Sequence, residues 1–354
     1  CMHCKTALAQ AEVEYEDQTT PSVYVKFPVK APSPALARAL GGRTASLVIW
    51  TTTPWTLPAN LALAVHPGET YTALEVGGEW LIVARALAGA AGELDGVRGH
   101  AAATGLAVSG EGLAGTLARH PWLERDVPVI PADFVAMDTG TGLVHIAPGH
   151  GEEDYELGRK AGLKVYNPVD DDGRFRAEVT HFAGLTVWEA NPRILEHLRS
   201  VGALVASVPF EHTYPHCWRC KNPTLFLATE QWFIALDQTG LRQKALDAIR
   251  RDVRWIPPWG EERIFNMVAH RPEWVISRQR VWGVPIVAFY CQGCDGLLLD
   301  EPLVAHVAAI MKAGRGADEW HAREAADLLP PGTACPSCGG AAFRKETDIL
   351  DVWF

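Results

Sequence analysis

Apolar and polar side chains alternate along residues 11–16 and again along 22–29, where Val23, Val25, Phe27 and Val29 are separated by Tyr24, Lys26 and Pro28. A period of two predicts strands. Residues 31–34, Ala-Pro-Ser-Pro, read as a linker. A β-branched run over 46–53 predicts a strand that Pro54 breaks. Residues 71–84 have the form of a hairpin, two apolar runs around Gly77-Gly78. A short helix is expected over 85–91, then short strands with turns over 96–135. Residues 152–161 predict a helix whose acidic first turn suits the helix dipole. A second helix is expected over 191–201. The stretch 46–206 therefore reads as one α+β, barrel-like domain. Beyond it, apolar spacing predicts helices over 240–254 and 261–270 and a strand-like run over 281–290.

The 354 residues are enough for two or three domains. A hydrophobic fraction of 48% and a charged fraction of 21% exclude long disorder and coiled coil. No stretch approaches the roughly 20 apolar residues of a membrane-spanning helix. A net charge of −10 argues against non-specific nucleic-acid binding by the whole surface. Residues 237–290 differ, with nine basic and six acidic side chains, +3 against −13 for the remainder. The chain opens on Cys1 and ends on Asp351-Val-Trp-Phe within an apolar run, and reads as an internal piece of a longer protein.

All eight cysteines fall in C-x-x-C pairs: Cys1/Cys4, Cys217/Cys220, Cys291/Cys294 and Cys335/Cys338. Two such pairs supply the four thiolates of a structural zinc site, so two sites are expected. Four pairs in one chain without a secretory signal favour metal over disulfides. Forty residues separate Cys291/Cys294 from Cys335/Cys338, and both resemble ribbon knuckles. Cys1/Cys4 would then join Cys217/Cys220 across 212 residues, as if a domain were inserted into a ribbon. Spacing alone does not distinguish the three possible pairings.

Several longer motifs follow in order. They are Trp50-Thr-Thr-Thr-Pro-Trp-Thr-Leu-Pro-Ala-Asn60, Gly140-Thr-Gly-Leu-Val-His-Ile-Ala-Pro-Gly-His-Gly-Glu-Glu-Asp-Tyr155, His216-Cys-Trp-Arg-Cys-Lys, Ala228-Thr-Glu-Gln-Trp-Phe, Trp274-Val-Ile-Ser-Arg-Gln-Arg-Val-Trp-Gly-Val-Pro and Asp351-Val-Trp-Phe. Together, along the whole chain, they resemble the isoleucyl-tRNA synthetases, class I aminoacyl-tRNA synthetases with an editing domain. The valyl and leucyl members carry different residues where this chain has Thr52-Thr-Pro-Trp-Thr and Pro148-Gly-His-Gly.

The resemblance implies an editing site that hydrolyses valine wrongly esterified to tRNA(Ile). Isoleucine and valine differ by one methylene, which a pocket discriminates by only about 1–3 kcal/mol. Asp154 would anchor the α-ammonium of valine, against the plainer reading of an acidic first helical turn. Thr51, Thr52 and Thr53 would hold substrate and water, although alternate strand residues face opposite sides. His145 would be the wall that keeps isoleucine out. Asn60 and His150 are candidate substrate contacts, and Trp353 would line the isoleucine pocket of the parent enzyme. Arg278, Arg280 and Trp282 would lie where the chain returns to the nucleotide-binding domain; a structural ion pair is the plain alternative for the arginines.

The elements that bind ATP in this class are not recognised in the sequence, so the fragment is expected to edit and not to activate an amino acid. The parent would use isoleucine and ATP. The expected partition is 1–31, the first half of a split zinc ribbon with its strands; 32–206, the editing domain; 207–236, the other half of the ribbon; 237–290, a connector to the catalytic domain; and 291–354, a second zinc ribbon and the start of a catalytic-domain strand. A cytoplasmic location without membrane contact goes with this reading. Two alternatives stay open: a valyl-type editing domain that clears threonine, and a zinc-ribbon tRNA-binding module without catalysis.

Overall fold

The computed structural model describes residues 1–351 with the exception of Pro272, so Trp353 lies outside the described residues. The chain forms two compact units, Cys1–Cys4 with Ala11–Thr229, and Lys5–Gln10 with Glu230–Phe354.

The first unit is built on an eleven-stranded mixed sheet among the described residues. Its strands are β1 (Val13–Ala31), β2 (Ala45–Thr51), β3 (Ala62–Val65), β4 (Thr70–Val76), β5 (Glu79–Ala84), β6 (Ala101–Ala103), β7 (Val108–Ser109), β8 (Leu117–Arg119), β9 (Asp126–Pro131), β10 (Leu143–Ile146) and β11 (Leu204–Cys217). The order is β10-β3-β9-β8-β1-β2-β5-β4-β6, with β11 on β1 and β7 on β4. The pairs β2/β5 and β3/β9 are parallel.

Strand β1 organises the unit. Over its second half Val23, Val25 and Phe27 are fully buried, as their alternation predicts. They join Leu47, Ile49, Leu63, Val65, Ile82 and Leu143 in one core, together with Ile194 and Leu198 of the helix Val187–Ser200. Its first half is mostly solvent-exposed and pairs with β11 in an antiparallel arm from Val25↔Leu204 out to Val13↔Cys217. The arm sets Val13 beside Cys217 at its far end.

The hairpin turns at Gly77 and Gly78, φ 58° and 85°, values that favour glycine. Tyr71 ties β4 to the loop before β10: its hydroxyl donates to the Gly142 carbonyl at 2.8 Å and accepts from the His66 amide at 2.9 Å.

Several stretches differ from expectation. Residues 31–34 are not a plain linker: Ser33 caps the helix Pro34–Leu40, its hydroxyl accepting from Leu36 N–H, with Pro34 in the first turn. The helix expected from 191 starts at Val187. There a reciprocal capping box between Thr186 and Glu189 sets the start, and Pro192 sits inside the helix. The strand-like run 281–290 is a strand only at Phe289–Cys291. Val281 and Trp282 are 94% and 86% exposed, and Gly283 packs so closely on Ile349 that a Cβ there would meet its Cδ1 at 2.4 Å.

The second unit holds the helices Leu241–Arg251, Gly260–Ala269 and Glu301–Ala313. A three-stranded sheet, Leu297–Leu298, Phe289–Cys291 and Phe343–Lys345, packs a core of Phe289, Leu303, Val307, Trp320 and Leu328. The Arg278 guanidinium is buried against Asp351 at 2.7 Å, which gives it the structural ion pair considered above. No helix among the described residues is long and apolar enough to cross a membrane.

Candidate active site and metal centres

The two longest motifs meet inside the first unit. β2 ends at Thr51, and Pro54 opens a 3-10 turn, Pro54–Ala59, whose residues are all buried. The Thr51 and Thr53 hydroxyls lie 3.2 Å apart because the chain turns beyond the end of β2, where Thr53 N–H donates to Thr51 Oγ1 at 3.1 Å. Thr53 Oγ1 is 3.5 Å from Thr56 Oγ1, which lies 2.9 Å from His145 Nε2 on β10. A line of polar groups thus runs Thr51–Thr53–Thr56–His145 and leaves Thr52 aside.

The protons in this line can be placed. Thr56 Oγ1 donates its one hydrogen to the Thr53 carbonyl at 2.8 Å. His145 must therefore donate from Nε2, which leaves Nδ1 as a bare acceptor. That atom is buried without a partner. Burial, and then nearby His150, lower His145 to a pKa of about 4, so the ring is neutral at physiological pH.

Asn60 closes the first motif. Its side chain is fully buried, Nδ2 donates to the Ala62 carbonyl at 2.9 Å, and Oδ1 has no partner. The Arg125 guanidinium reaches the carbonyls of Pro58 at 3.1 Å and Asn60 at 2.5 Å, fixing the end of the turn.

The second motif turns from β10 through Ala147–Gly151 into the helix Glu152–Lys160. Asp154, in the first turn of that helix, accepts a hydrogen bond from Ala147 N–H at Oδ2, 2.9 Å. Burial pushes its carboxyl up to about 6, the Ala147 amide opposes this, and Glu153 adds to the rise. His150 donates from Nδ1 to the Phe226 carbonyl at 3.1 Å and stands edge-on to Trp55, ring centroids 5.0 Å apart. Burial lowers His150 to about 4, against the opposing pull of the Phe226 carbonyl.

The structure thus gathers Thr51, Thr53, Asn60, His145, His150 and Asp154 into the region where the two motifs meet. The sequence reading omits Thr56, Trp55, the Ala147 amide and the Phe226 carbonyl. Thr56 alone leaves a local signal: it stands three residues after Thr53, where side chains of a 3-10 turn eclipse.

The cysteines form two clusters, Cys1/Cys4/Cys217/Cys220 and Cys291/Cys294/Cys335/Cys338, with all ligand atoms of each within 4.8 Å. Sulfur separations include 3.5 Å for Cys1–Cys220, 3.5 Å for Cys291–Cys338 and 3.6 Å for Cys294–Cys335. These distances are far from a disulfide and close to the edge of about 3.8 Å that four thiolates at about 2.3 Å from one ion define.

The knuckles repeat one geometry. The residue after the second cysteine is left-handed in all four, with φ 49° at Lys5, 58° at Lys221, 54° at Asp295 and 74° at Gly339. The first three are the non-glycine residues of positive φ among the described residues. Amides of Lys221, Asp295 and Gly339 donate to the carbonyls of Cys217, Cys291 and Cys335 at 2.8–2.9 Å. Amides of Cys338 and Ser337 pull the Cys335 thiol down to about 6, toward the thiolate that binds metal. Each cluster could hold a metal ion, and the geometry selects one of the three pairings left open by spacing.

A family model described as tRNA synthetases class I (I, L, M and V) matches residues 1–354, and the chain belongs to that family. Its curated relatives narrow the likeness to the isoleucine members. The isoleucine–tRNA ligase of Geobacter sulfurreducens is 54% identical over all of this chain and 38% of its own length. That of Nitratidesulfovibrio vulgaris is 51% identical over 100% and 38%, and that of Moorella thermoacetica 50% over 100% and 37%. The chain thus spans just over a third of the length of these relatives. Among solved structures, one described as GlLeuRS-CP1 matches with TM-score 0.43 and 17% identity, covering 53% of this chain and 99% of that one. The leucyl-tRNA synthetase editing domain of P. knowlesi matches with TM-score 0.41 and 12% identity, covering 55% and 97%.

Proposed function

We propose that the first unit hydrolyses valine esterified to tRNA(Ile), as the editing part of an isoleucine–tRNA ligase. The carrying observation is the half-buried carboxylate of Asp154 held on Ala147 N–H, two residues along the chain from His145, which ends the Thr51–Thr53–Thr56–His145 line. Asp154 has one oxygen on Ala147 N–H, and the other is left to face the α-ammonium of valine. A cation there offsets the desolvation that raises the carboxyl, so ligand charge and site charge stabilise each other.

Fixing the ammonium fixes the ester carbonyl two bonds away. Water adds to that carbon, the bond to the ribose oxygen breaks, and the ribose oxygen takes the proton. Neutral His145, with its Nε2–H committed to Thr56, is a wall and a hydrogen-bonding surface rather than a base. A wall at this place leaves room for valine and not for the extra methylene of isoleucine. The Thr51 and Thr53 hydroxyls orient water and substrate.

The remaining assignments belong to the same proposal. Each cysteine cluster holds zinc, which fixes the knuckles and takes no part in hydrolysis. The stretches 1–31 and 207–236 are the two halves of one ribbon around the editing domain 32–206. Residues 237–290 connect to a catalytic domain that residues 291–354 enter through the second ribbon. In the longer cytoplasmic enzyme, isoleucine is attached to tRNA(Ile) with ATP.

The test is deacylation of Val-tRNA(Ile), Ile-tRNA(Ile) and Thr-tRNA(Val) by the 354-residue chain. Turnover of the first alone supports the reading. Turnover of the threonyl ester alone transfers it to the valyl type, and turnover of none removes it.

A further inference from the structure

Buried polar atoms without partners are rare in folded proteins, and each calls for an explanation. Among the described residues, half of those atoms sit in the two motifs of the candidate site: Trp55 Nε1, Asn60 Oδ1, His145 Nδ1 and His150 Nε2. Of the two histidines, His145 has a role above. His150 does not.

Its chemistry is fixed by its surroundings. A carbonyl can only accept, so the 3.1 Å contact with Phe226 makes Nδ1 the protonated nitrogen. Nε2 is then a lone pair with no donor, in a side chain that is 9% exposed.

The carbonyl that dictates this tautomer is itself held in place. Phe226 lies in the segment leaving the Cys217/Cys220 knuckle. Thr224 pins that segment, its amide donating to the Pro215 carbonyl at 2.9 Å and its own carbonyl accepting from Tyr214 Oη at 3.1 Å. Beyond Phe226, Ala228 N–H donates to the Gly149 carbonyl at 2.7 Å, and Asn167 Nδ2 to the Ala228 carbonyl at 3.0 Å. The segment thus holds the loop at the Gly149 carbonyl and at the His150 ring.

We propose that His150 Nε2 accepts a hydrogen bond from the free ribose hydroxyl next to the scissile ester. The inference rests on the editing reading above. The substrate offers two kinds of donor near the ester, the α-ammonium and the vicinal hydroxyl. A carboxylate suits the cation, and Asp154 supplies it. A neutral imidazole lone pair suits the uncharged hydroxyl. The contact positions the ribose and therefore the ester oxygen that leaves.

The experiment uses the full chain labelled with 15N-histidine and a stable analogue, valine joined to the terminal adenosine by an amide in place of the ester. The analogue is made with and without the vicinal hydroxyl. In the free protein the His150 nitrogens should show the Nδ1–H pattern; an Nε2–H pattern overturns the proposal. The hydroxylated analogue should shift the Nε2 resonance and the deoxy analogue should leave it in place. Equal shifts, or none with the hydroxylated analogue bound, also overturn it.

Deacylation supplies the second arm. His150→Leu should slow hydrolysis of Val-tRNA(Ile) roughly tenfold, the scale of one lost hydrogen bond, and leave a substrate lacking the vicinal hydroxyl unaffected. His150→Gln, which keeps an acceptor, should recover part of the loss. Equal slowing of both substrates by His150→Leu overturns the proposal. A chain that hydrolyses no ester but shows the hydroxyl-dependent shift defeats the editing reading and leaves the contact standing.

Discussion

The Ala147 amide donates to Asp154 Oδ2 at 2.9 Å, so the carboxylate belongs at once to the helix that bears it and to the loop it must position. Asn in place of Asp154 can keep that hydrogen bond through its side-chain oxygen and loses only the charge. We expect Asp154→Asn to lower Val-tRNA(Ile) deacylation by about 30- to 1000-fold, roughly 2–4 kcal/mol of transition-state stabilisation.

The stability change should run the other way. The folded carboxyl is raised to about 6 from 3.8, so the stability this group contributes is full below pH 3.8 and is lost as pH rises through about 6. At pH 8 the ligand-free Asp154→Asn chain should therefore melt slightly above wild type, and near pH 3.8 the two should coincide. Near wild-type deacylation by the folded variant would take Asp154 out of the mechanism. In wild type, kcat/KM should fall as pH drops through about 6, because the protonated acid no longer attracts the ammonium.

His145 makes a different prediction. Its pKa of about 4 keeps the ring neutral from pH 5 upward, so no inflection near 6.5 should come from it. His145→Ala should enlarge the pocket and allow hydrolysis of Ile-tRNA(Ile). A variant that spares the isoleucyl ester while clearing the valyl ester at the wild-type rate would show that the wall is elsewhere. Thr56→Val should loosen the ring by removing the partner of Nε2, weakening selectivity before it weakens turnover.

What the sequence discloses is the local part of this arrangement. Val23, Val25 and Phe27 announce a strand because their burial follows the pleat, and Gly77-Gly78 announces a turn because both need positive φ. The helix Glu301–Ala313 is also written locally, in the Asp300 cap and Pro302, although only a ribbon is expected there. The site depends on contacts between distant residues. Thr56 meets His145 because β10 pairs with β3 in the register His145↔Leu63. Cys4 meets Cys217 because β1 and β11 run together for more than ten residues, from Val25↔Leu204 to Val13↔Cys217. No local pattern encodes either pairing. Only the resemblance of whole motifs reaches across such distances, and it leaves out the backbone groups of Ala147 and Phe226, which carry no residue identity.

The knuckles make the metal prediction concrete. About two zinc ions per chain are expected from protein purified without chelator. Finding none, with the cysteines oxidised, would remove the assignment. Cys335→Ser should unfold the second cluster and its core of Phe289 and Trp320, while deacylation persists. At Lys221, φ 58° costs an ordinary residue on the order of 1 kcal/mol and glycine almost nothing. Lys221→Gly should therefore retain zinc against a competing chelator at least as well as wild type. Lys221→Val, which resists positive φ, should release it more readily.

Gly149 tests how tightly the loop must be held. It lies between Pro148 and His150, and a Cβ there would sit 2.3 Å from the Tyr166 carbonyl oxygen and 2.9 Å from its carbon. Both are backbone atoms, so neither side chain rotation nor a small local shift can make room. Gly149→Ala must displace the loop, and with it the carbonyl that receives Ala228 N–H at 2.7 Å. Overpacking of this kind costs about 1–3 kcal/mol. A displacement near 1 Å at a positioning element costs on the order of 100-fold in rate. Denaturant unfolding should thus show a lowered midpoint with an unchanged slope, and deacylation should fall further than the stability loss explains. Gly89→Ala is the matched control: nothing lies within 4 Å of its Cβ, and it stands in the short helix Ala88–Gly92. There alanine should add up to about 1 kcal/mol of stability and leave deacylation unchanged. If the two variants behave alike, the close approach of Tyr166 does not constrain the loop, and the positions of His150 and Asp154 must be set by the helix Glu152–Lys160 alone.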